Sequence, residues 1–325
     1  LPSLPEPNTH AGPPSGILNR VDLSHRDPGD IDPQIAAWLN AAPPVDVDFS
    51  DIAAIRAMSD AYMRETGGPA PRFSHPRAHL QAGRFAGVDT LVWTPTHEAS
   101  RGIVIAAHGG GFMVGSALGA ERIAVPLAAE HAITTISVEY RLAPEHRAPA
   151  ALNDVCAVAT AQDTSLPIAV HGSSAGATLA AGAALWARDH GLHLVGQSLS
   201  CPALDDRVID DVWSPTWTAH ATEWMWRHYF GDDPPPPYCA PGRHEDLRGL
   251  PPAHIVIATH DTLRSQGLDY ARRLHDHGVA VHVHDVPGTV HGFDGLLPDS
   301  DASRTAINAQ VRALAGWITG ATGEP

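Results

Sequence analysis

The chain has 325 residues, 43% of them hydrophobic and 18% charged, which is enough apolar material for a sizeable core and argues against global disorder. A formal charge of −15 argues against nucleic acid or an anionic membrane as partner, because both demand clustered cations. All 21 cationic side chains are arginine, so Schiff-base lysine, pyridoxal-phosphate and Walker-type phosphate chemistry are excluded.

Residues 1–16 are rich in Pro, Gly and Ser and are expected to lie loosely on the surface. They show no basic segment ahead of an apolar one, although a removed leader stays open because the chain starts at Leu1. Asp32-Pro33 reads as a cap and first helical residue, opening a short helix through Leu39. Ile52, Ile55, Met58 and Tyr62 predict a second helix from about Ser50 to Glu65. From about residue 80 the rhythm changes. Apolar, β-rich runs at 88–93, 102–107, 133–139, 167–171, 194–199, 253–259 and 279–286 alternate with helical stretches near 120–131, 149–162, 175–190 and 264–277, and a last helix at 302–319. That alternation predicts a mainly parallel sheet covered on both faces. The longest apolar run, Ala175 to Ala187, is too short to span a bilayer. Cys156, Cys201 and Cys239 form no C-x-x-C pair and read as free thiols of a reducing cytoplasm, the expected location.

Between about 203 and 248 the alternation stops. Trp213, Trp217, Trp224 and Trp226 cluster there with Tyr229 and Phe230, ahead of the run Pro234 to Pro237. An aromatic insertion of this kind is expected to be a lid over a hydrophobic pocket, to pack against the body, or both. Phe112, Trp213, Trp217 and Trp224 are the candidate pocket residues.

Three short motifs carry the chemistry. Gly172-Ser173-Ser174-Ala175-Gly176 follows the apolar segment Ile168-Ala169-Val170 and precedes an Ala-rich helix, the context of the G-x-S-x-G turn that holds a serine hydroxyl above a sheet. His108-Gly109-Gly110-Gly111 ends the apolar run at Ala107, where glycines let backbone N–H groups face a substrate oxygen. The N–H groups of Gly110, Gly111 and Ala175 are the candidate oxyanion donors, and His108 reads as a structural hydrogen-bonder. His291, in a loop with Gly288 and Gly292 after the run Val281 to Val286, is the candidate base, and Asp261, ending the run from Ile255 to Thr259, the residue that orients it. The order Ser174…Asp261…His291 suits acyl transfer. His282 and His284 alternate along one strand face, and solvated or packed side chains are expected there, not a metal site.

These residues resemble a known family. Besides the glycine run, Tyr140-Arg141-Leu142-Ala143-Pro144-Glu145-His146 with Asp154, Asp261-Thr262-Leu263-Arg264 with Gly267-Leu268-Asp269-Tyr270-Ala271, and His291-Gly292-Phe293 are similar to the hormone-sensitive-lipase-like (bacterial type IV) carboxylesterases of the α/β-hydrolase superfamily. The resemblance implies an α/β-hydrolase fold with a mostly parallel eight-stranded sheet and a helical cap. It implies a triad of Ser174, Asp261 and His291, hydrolysis of short to medium acyl esters, and no cofactor. Residues 1–75 would be N-terminal cap helices, 76–202 and 249–325 the catalytic core, and 203–248 the cap insertion. Some similar proteins are homodimers, so that assembly is open. The chain departs from the family at Ser173 (usually Asp), Ala177 (Gly), Thr262 (Pro) and Ser265 (Asp). The same parts would serve an amidase or an acyltransferase. A non-catalytic binding protein on this fold is a third reading, against which His291 in its full motif stands.

Overall fold

A computed structural model describes residues 31–41, 47–65 and 71–320. The expectation for residues 1–16 lies outside the described residues. The sheet comprises β1 (Ala78–Phe85), β2 (Val88–Pro95), β3 (Ile103–Ala107), β4 (Thr134–Val138), β5 (Ile168–Ser173), β6 (Gly196–Ser200), β7 (Ala253–His260) and β8 (Val281–Val290). Their spatial order is β1-β2-β4-β3-β5-β6-β7-β8, antiparallel at β1–β2 and β2–β4 and parallel from there on.

Both faces of this sheet are covered, which explains why the central strands carry no polar alternation. On β3 and β5, Val104 and Ala169 point to a layer made by α3 (Glu121–His131) and α9 (Asp301–Thr319), through Ile123, Leu127, Leu314 and Ile318. Their neighbours Ile103, Ile105, Ile168 and Val170 point the other way, toward α4 (Ala150–Thr160) and α5 (Ala175–His190). Side chains of a strand alternate faces, so the five apolar residues of β3 and the three that open β5 each serve two cores at once.

The two early helices form as expected. In α1 (Pro33–Ala41), Asp32 caps the first turn, its Oδ1 accepting the N–H groups of Gln34 (2.9 Å) and Ile35 (3.2 Å). α1 buries Ile35 and Leu39 against Val286, Val290 and Phe293. In α2 (Ile52–Glu65), Ile55 packs into the main core, and Arg56 makes two 2.7 Å hydrogen bonds to the Glu145 carboxylate. The 203–248 segment contributes α6 (Ala219–Phe230), capped by Thr218, whose Oγ1 accepts the Ala221 N–H. The other two helices are α7 (Arg264–Asp276) and the single turn α8 (Phe293–Leu296). Among the described residues no helix is long and apolar enough to cross a membrane.

Candidate active site

Every motif residue lies just past the C-terminal end of a parallel strand, where an open α/β sheet presents its ligand sites. The glycine run follows β3, Ser174 follows β5, Asp261 follows β7 and His291 follows β8.

Ser174 has φ 53° and ψ −119°, a left-handed conformation that a side-chain-bearing residue adopts only when its surroundings enforce it. The enforcement is steric. A Cβ at Gly172 would lie 2.1 Å from the Gly176 carbonyl oxygen, and one at Gly176 would lie 2.1 Å from that of Ala107. The turn therefore closes against the end of β3 only with glycine at both places. The Ser174 N–H donates to the Ser200 carbonyl (2.8 Å), and the residue caps α5, so its hydroxyl stands at the positive end of a 16-residue helix.

His291 reaches Ser174 because β8 carries extra length. Ala258 pairs with Val286 and His260 with Val290, leaving Pro287, Gly288 and Thr289 opposite the single residue Thr259. The irregularity is pinned: Thr289 and Thr259 hydroxyls both donate to the Val286 carbonyl (2.7 and 3.0 Å), and the Asp32 N–H donates to that of Gly288 (3.0 Å). Past it, the Ser174 Oγ and His291 Nε2 are 2.9 Å apart, and His291 Nδ1 is 2.8 Å from Asp261 Oδ2. The other Asp261 oxygen accepts the Leu263 N–H (2.9 Å), and Thr216 of the insertion donates to the His291 carbonyl (2.8 Å). Ser174, Asp261 and His291 are all buried. A hydroxyl, an imidazole and a carboxylate in this line can pass a proton from the serine to the histidine while the carboxylate fixes the tautomer.

The glycine run lies against this serine, a Cβ at Gly109 falling 3.6 Å from that of Ser174. Gly110 (φ 115°) and Gly111 (φ 60°) take positive φ, and a Cβ at Gly110 would lie 2.2 Å from the Val114 carbonyl oxygen. His108 is buried, its ring stacked 4.1 Å from that of Tyr140 and its Nδ1 2.7 Å from the Gly109 carbonyl. Burial pushes its pKa down to about 4, so at neutral pH the ring is uncharged and its Nδ1–H donates into the turn.

The four pocket candidates separate. Phe112 is fully buried, stacked at 3.7 Å on Tyr229 of α6. Trp213 packs edge-on against His260 (5.2 Å) beside the α1 core. Trp224 lies with His228 and Arg227, whose guanidinium is 5.0 Å from the indole. Only Trp217 comes near both motifs: its ring centroid is 5.6 Å from that of His291, and its Cη2 is 3.1 Å from a Cβ built on Gly111. Its indole N–H donates to Thr222 Oγ1 (2.9 Å), a partner that no sequence pattern announced. Thr262 also touches Trp217, its hydroxyl donating to the Trp217 carbonyl.

For metals, Cys201, Asp261 and His291 offer ligand atoms within 4.8 Å of one another, the one such group among the described residues. The Asp261 and His291 atoms are already paired with each other. His282 and His284 lie 5.2 and 6.3 Å, ring to ring, from His254, with His282 stacked on it.

A sheet of this order with a serine on the tight turn after β5 defines an α/β hydrolase, and residues 104–295 match the family described as alpha/beta hydrolase fold. The chain is 36% identical over 256 residues to esterase LipI of Mycobacterium tuberculosis, covering 69% of this chain and 76% of that protein. It is 31% identical over 320 residues to carboxylesterase NlhH of the same organism, covering 88% and 95%. Among solved structures, a bacterial heroin esterase superposes with a TM-score of 0.80 at 33% identity over 89% of this chain and 98% of that one. The chain belongs to the α/β-hydrolase fold family, among its hormone-sensitive-lipase-like carboxylesterases.

Proposed function

We propose that the protein is a serine carboxylesterase that cleaves short to medium acyl esters through a covalent acyl–serine intermediate. The observation that carries this reading is the unbroken line from Ser174 Oγ to His291 Nε2 (2.9 Å) and from His291 Nδ1 to Asp261 (2.8 Å). The Ser174 oxygen attacks the ester carbonyl carbon while His291 Nε2 takes its proton. Charge that develops on the carbonyl oxygen is met by the N–H groups of Gly110, Gly111 and Ala175, each such donor being worth about 10²–10³ in rate. As the intermediate collapses, the proton on Nε2 passes to the departing alkoxide and an alcohol leaves. Water then enters and attacks the acyl carbon, giving a proton to the same nitrogen, which returns it to Ser174 Oγ as the acyl–serine bond breaks and the acid leaves. Asp261 holds the Nδ1 proton throughout and stabilises the imidazolium. The two early helices and residues 203–248 serve as the cap that keeps bulk water from this line.

A fluorophosphonate probe tests the assignment. Wild-type protein is expected to be labelled at Ser174 and to hydrolyse p-nitrophenyl acetate and butyrate, with Ser174→Ala silent in both. A wild type that neither labels nor turns over any p-nitrophenyl ester from acetate to decanoate overturns the reading.

A further inference from the structure

The triad reading assigns no task to two buried threonines beside it, although both contact the aromatic residue nearest the site. Thr222 lies in the second turn of α6, and Thr262 directly follows Asp261; each is fully buried. The indole N–H of Trp217 donates to Thr222 Oγ1 at 2.9 Å. The Thr222 hydroxyl has the Thr218 carbonyl (3.2 Å) and Thr262 Oγ1 (3.3 Å) within reach. The Thr262 hydroxyl in turn donates to the Trp217 backbone carbonyl at 3.4 Å. Trp217 is thus held at its ring by one threonine and at its backbone by the other. Phe49 stands edge-on to the ring at 5.6 Å.

What these contacts fix is a surface. The ring extends from the Gly111 turn, where its Cη2 would meet an added Cβ at 3.1 Å, to His291, whose ring is tilted 35° to it. A carbonyl in reach of Ser174 and the glycine N–H groups sits between those two points, so a chain growing from the ester on that side runs into the indole. The ring is partly buried, so the bond from its N–H to Thr222 holds its orientation, and without that acceptor the indole is free to turn toward another partner or solvent.

We infer that Thr222 and Thr262 are positioning residues that lock Trp217 as a fixed wall, and that this wall limits the length of the ester chain the site accepts. The inference rests on the proposed triad. Because Thr262 and Asp261 are adjacent, the wall keeps register with the catalytic turn.

The test measures kcat/KM along two series: p-nitrophenyl esters from acetate to decanoate, in which the acyl chain grows, and n-alkyl acetates, in which the alcohol grows. Trp217→Ala is expected to raise the ratio of longest to shortest substrate at least about tenfold in one series, the scale by which a pocket discriminates a methylene or more. The responding series identifies the chain that the ring faces. Thr222→Val and Thr262→Val keep the side-chain volume but remove the acceptor and the second clamp. Each is expected to raise the same ratio about three- to tenfold, mainly through KM of the longer substrate, whereas Thr222→Ser keeps the wild-type ratio. Thr222→Val combined with Trp217→Ala should move it no further than Trp217→Ala alone, because without the ring there is nothing left to clamp. A purely structural role for the threonines predicts equal losses on all esters and an unchanged ratio, and that result overturns the clamp. If Trp217→Ala leaves both ratios within twofold of wild type, the wall itself is wrong. Failure of the triad reading is seen separately, as undiminished turnover by Ser174→Ala.

Discussion

The turns at the strand ends and the aromatic cover above them carry out opposite kinds of specification. In the turns, residue type follows from the space available: Gly172 and Gly176 each face a carbonyl oxygen at 2.1 Å from any added Cβ, and Ser174 keeps a positive φ because its neighbours allow nothing else. In the cover, many aromatic rings would fill the same volume, and direction is what matters. Trp226 stacks on Phe230 at 5.2 Å and Tyr229 on Phe112 at 3.7 Å, while Trp217 alone of the four candidates meets both Gly111 and His291. On the proposed reading, chemistry is built into backbone geometry, and selectivity into the aim of one side chain.

Perturbing the two regions should separate these effects. The largest belongs to the turns: Asp261→Asn leaves the shape of the site but supplies the wrong hydrogen-bonding partner to His291 Nδ1, and kcat is expected to fall about 10⁴-fold with Tm nearly unchanged. A loss below about tenfold would detach Asp261 from the reaction. Acid comes next, and it acts on the sheet. His108, His171 and His254 are buried and held well below their ordinary 6.5, at about 4, 4 and 3, chiefly by desolvation. Their folded-state pKa values are depressed, so the unfolded chain binds more protons as pH drops below 6.5. Stability is then complete above 6.5 and lost toward pH 4, by about 1.4 kcal/mol per pH unit for each group within that window. Urea melts at pH 7, 6 and 5 should show that decline; a flat profile contradicts the burial argument.

Under the cover, Phe112→Ala empties a fully buried ring site and is expected to cost about 3–5 kcal/mol in urea unfolding. Because Phe112 faces Tyr229 and not the triad, the folded fraction should keep the wild-type chain-length preference, and a shifted preference would move Phe112 into the pocket. The smallest effect is at the rim. Arg56 and Glu145 pair at the half-exposed rim, Arg56 holding the Glu145 carboxyl down to about 2, and Glu145→Gln, which leaves the Arg56 bonds to the Met113 and Ala143 carbonyls, should cost under ~1 kcal/mol by the same melts.

The same contrast explains how far the sequence could be read. Ser174 and the glycines stand out in the sequence because their turns leave room for few residue types, and Asp261 and His291 are candidates because each follows a run that reads as a strand. β1 does not stand out: Ala78–Phe85 is an edge strand with exposed and half-buried residues mixed, and its hairpin turn, Ala86-Gly87, has only one glycine across two positive φ values of 49° and 84°. α6 was hidden inside the aromatic run, since rings on several sides of a helix blur its period. Which ring enters the site was beyond reach for a further reason. It depends on Thr222 and Thr262, 40 residues apart in sequence and 3.3 Å apart in space.

The extra length in β8 also says where this chain can change by insertion or deletion. Pro287-Gly288-Thr289 looks like a disposable surface turn, yet it is the spacer that brings Val290 opposite His260 and His291 into reach of Asp261. Side chains alternate along a strand, so removing one residue there would turn His291 toward the opposite face of the sheet. The Ala86-Gly87 hairpin at the far edge positions nothing in the site and has no such constraint on its length. Natural variation and engineered linkers should accumulate at that edge and be absent from the three residues before Val290.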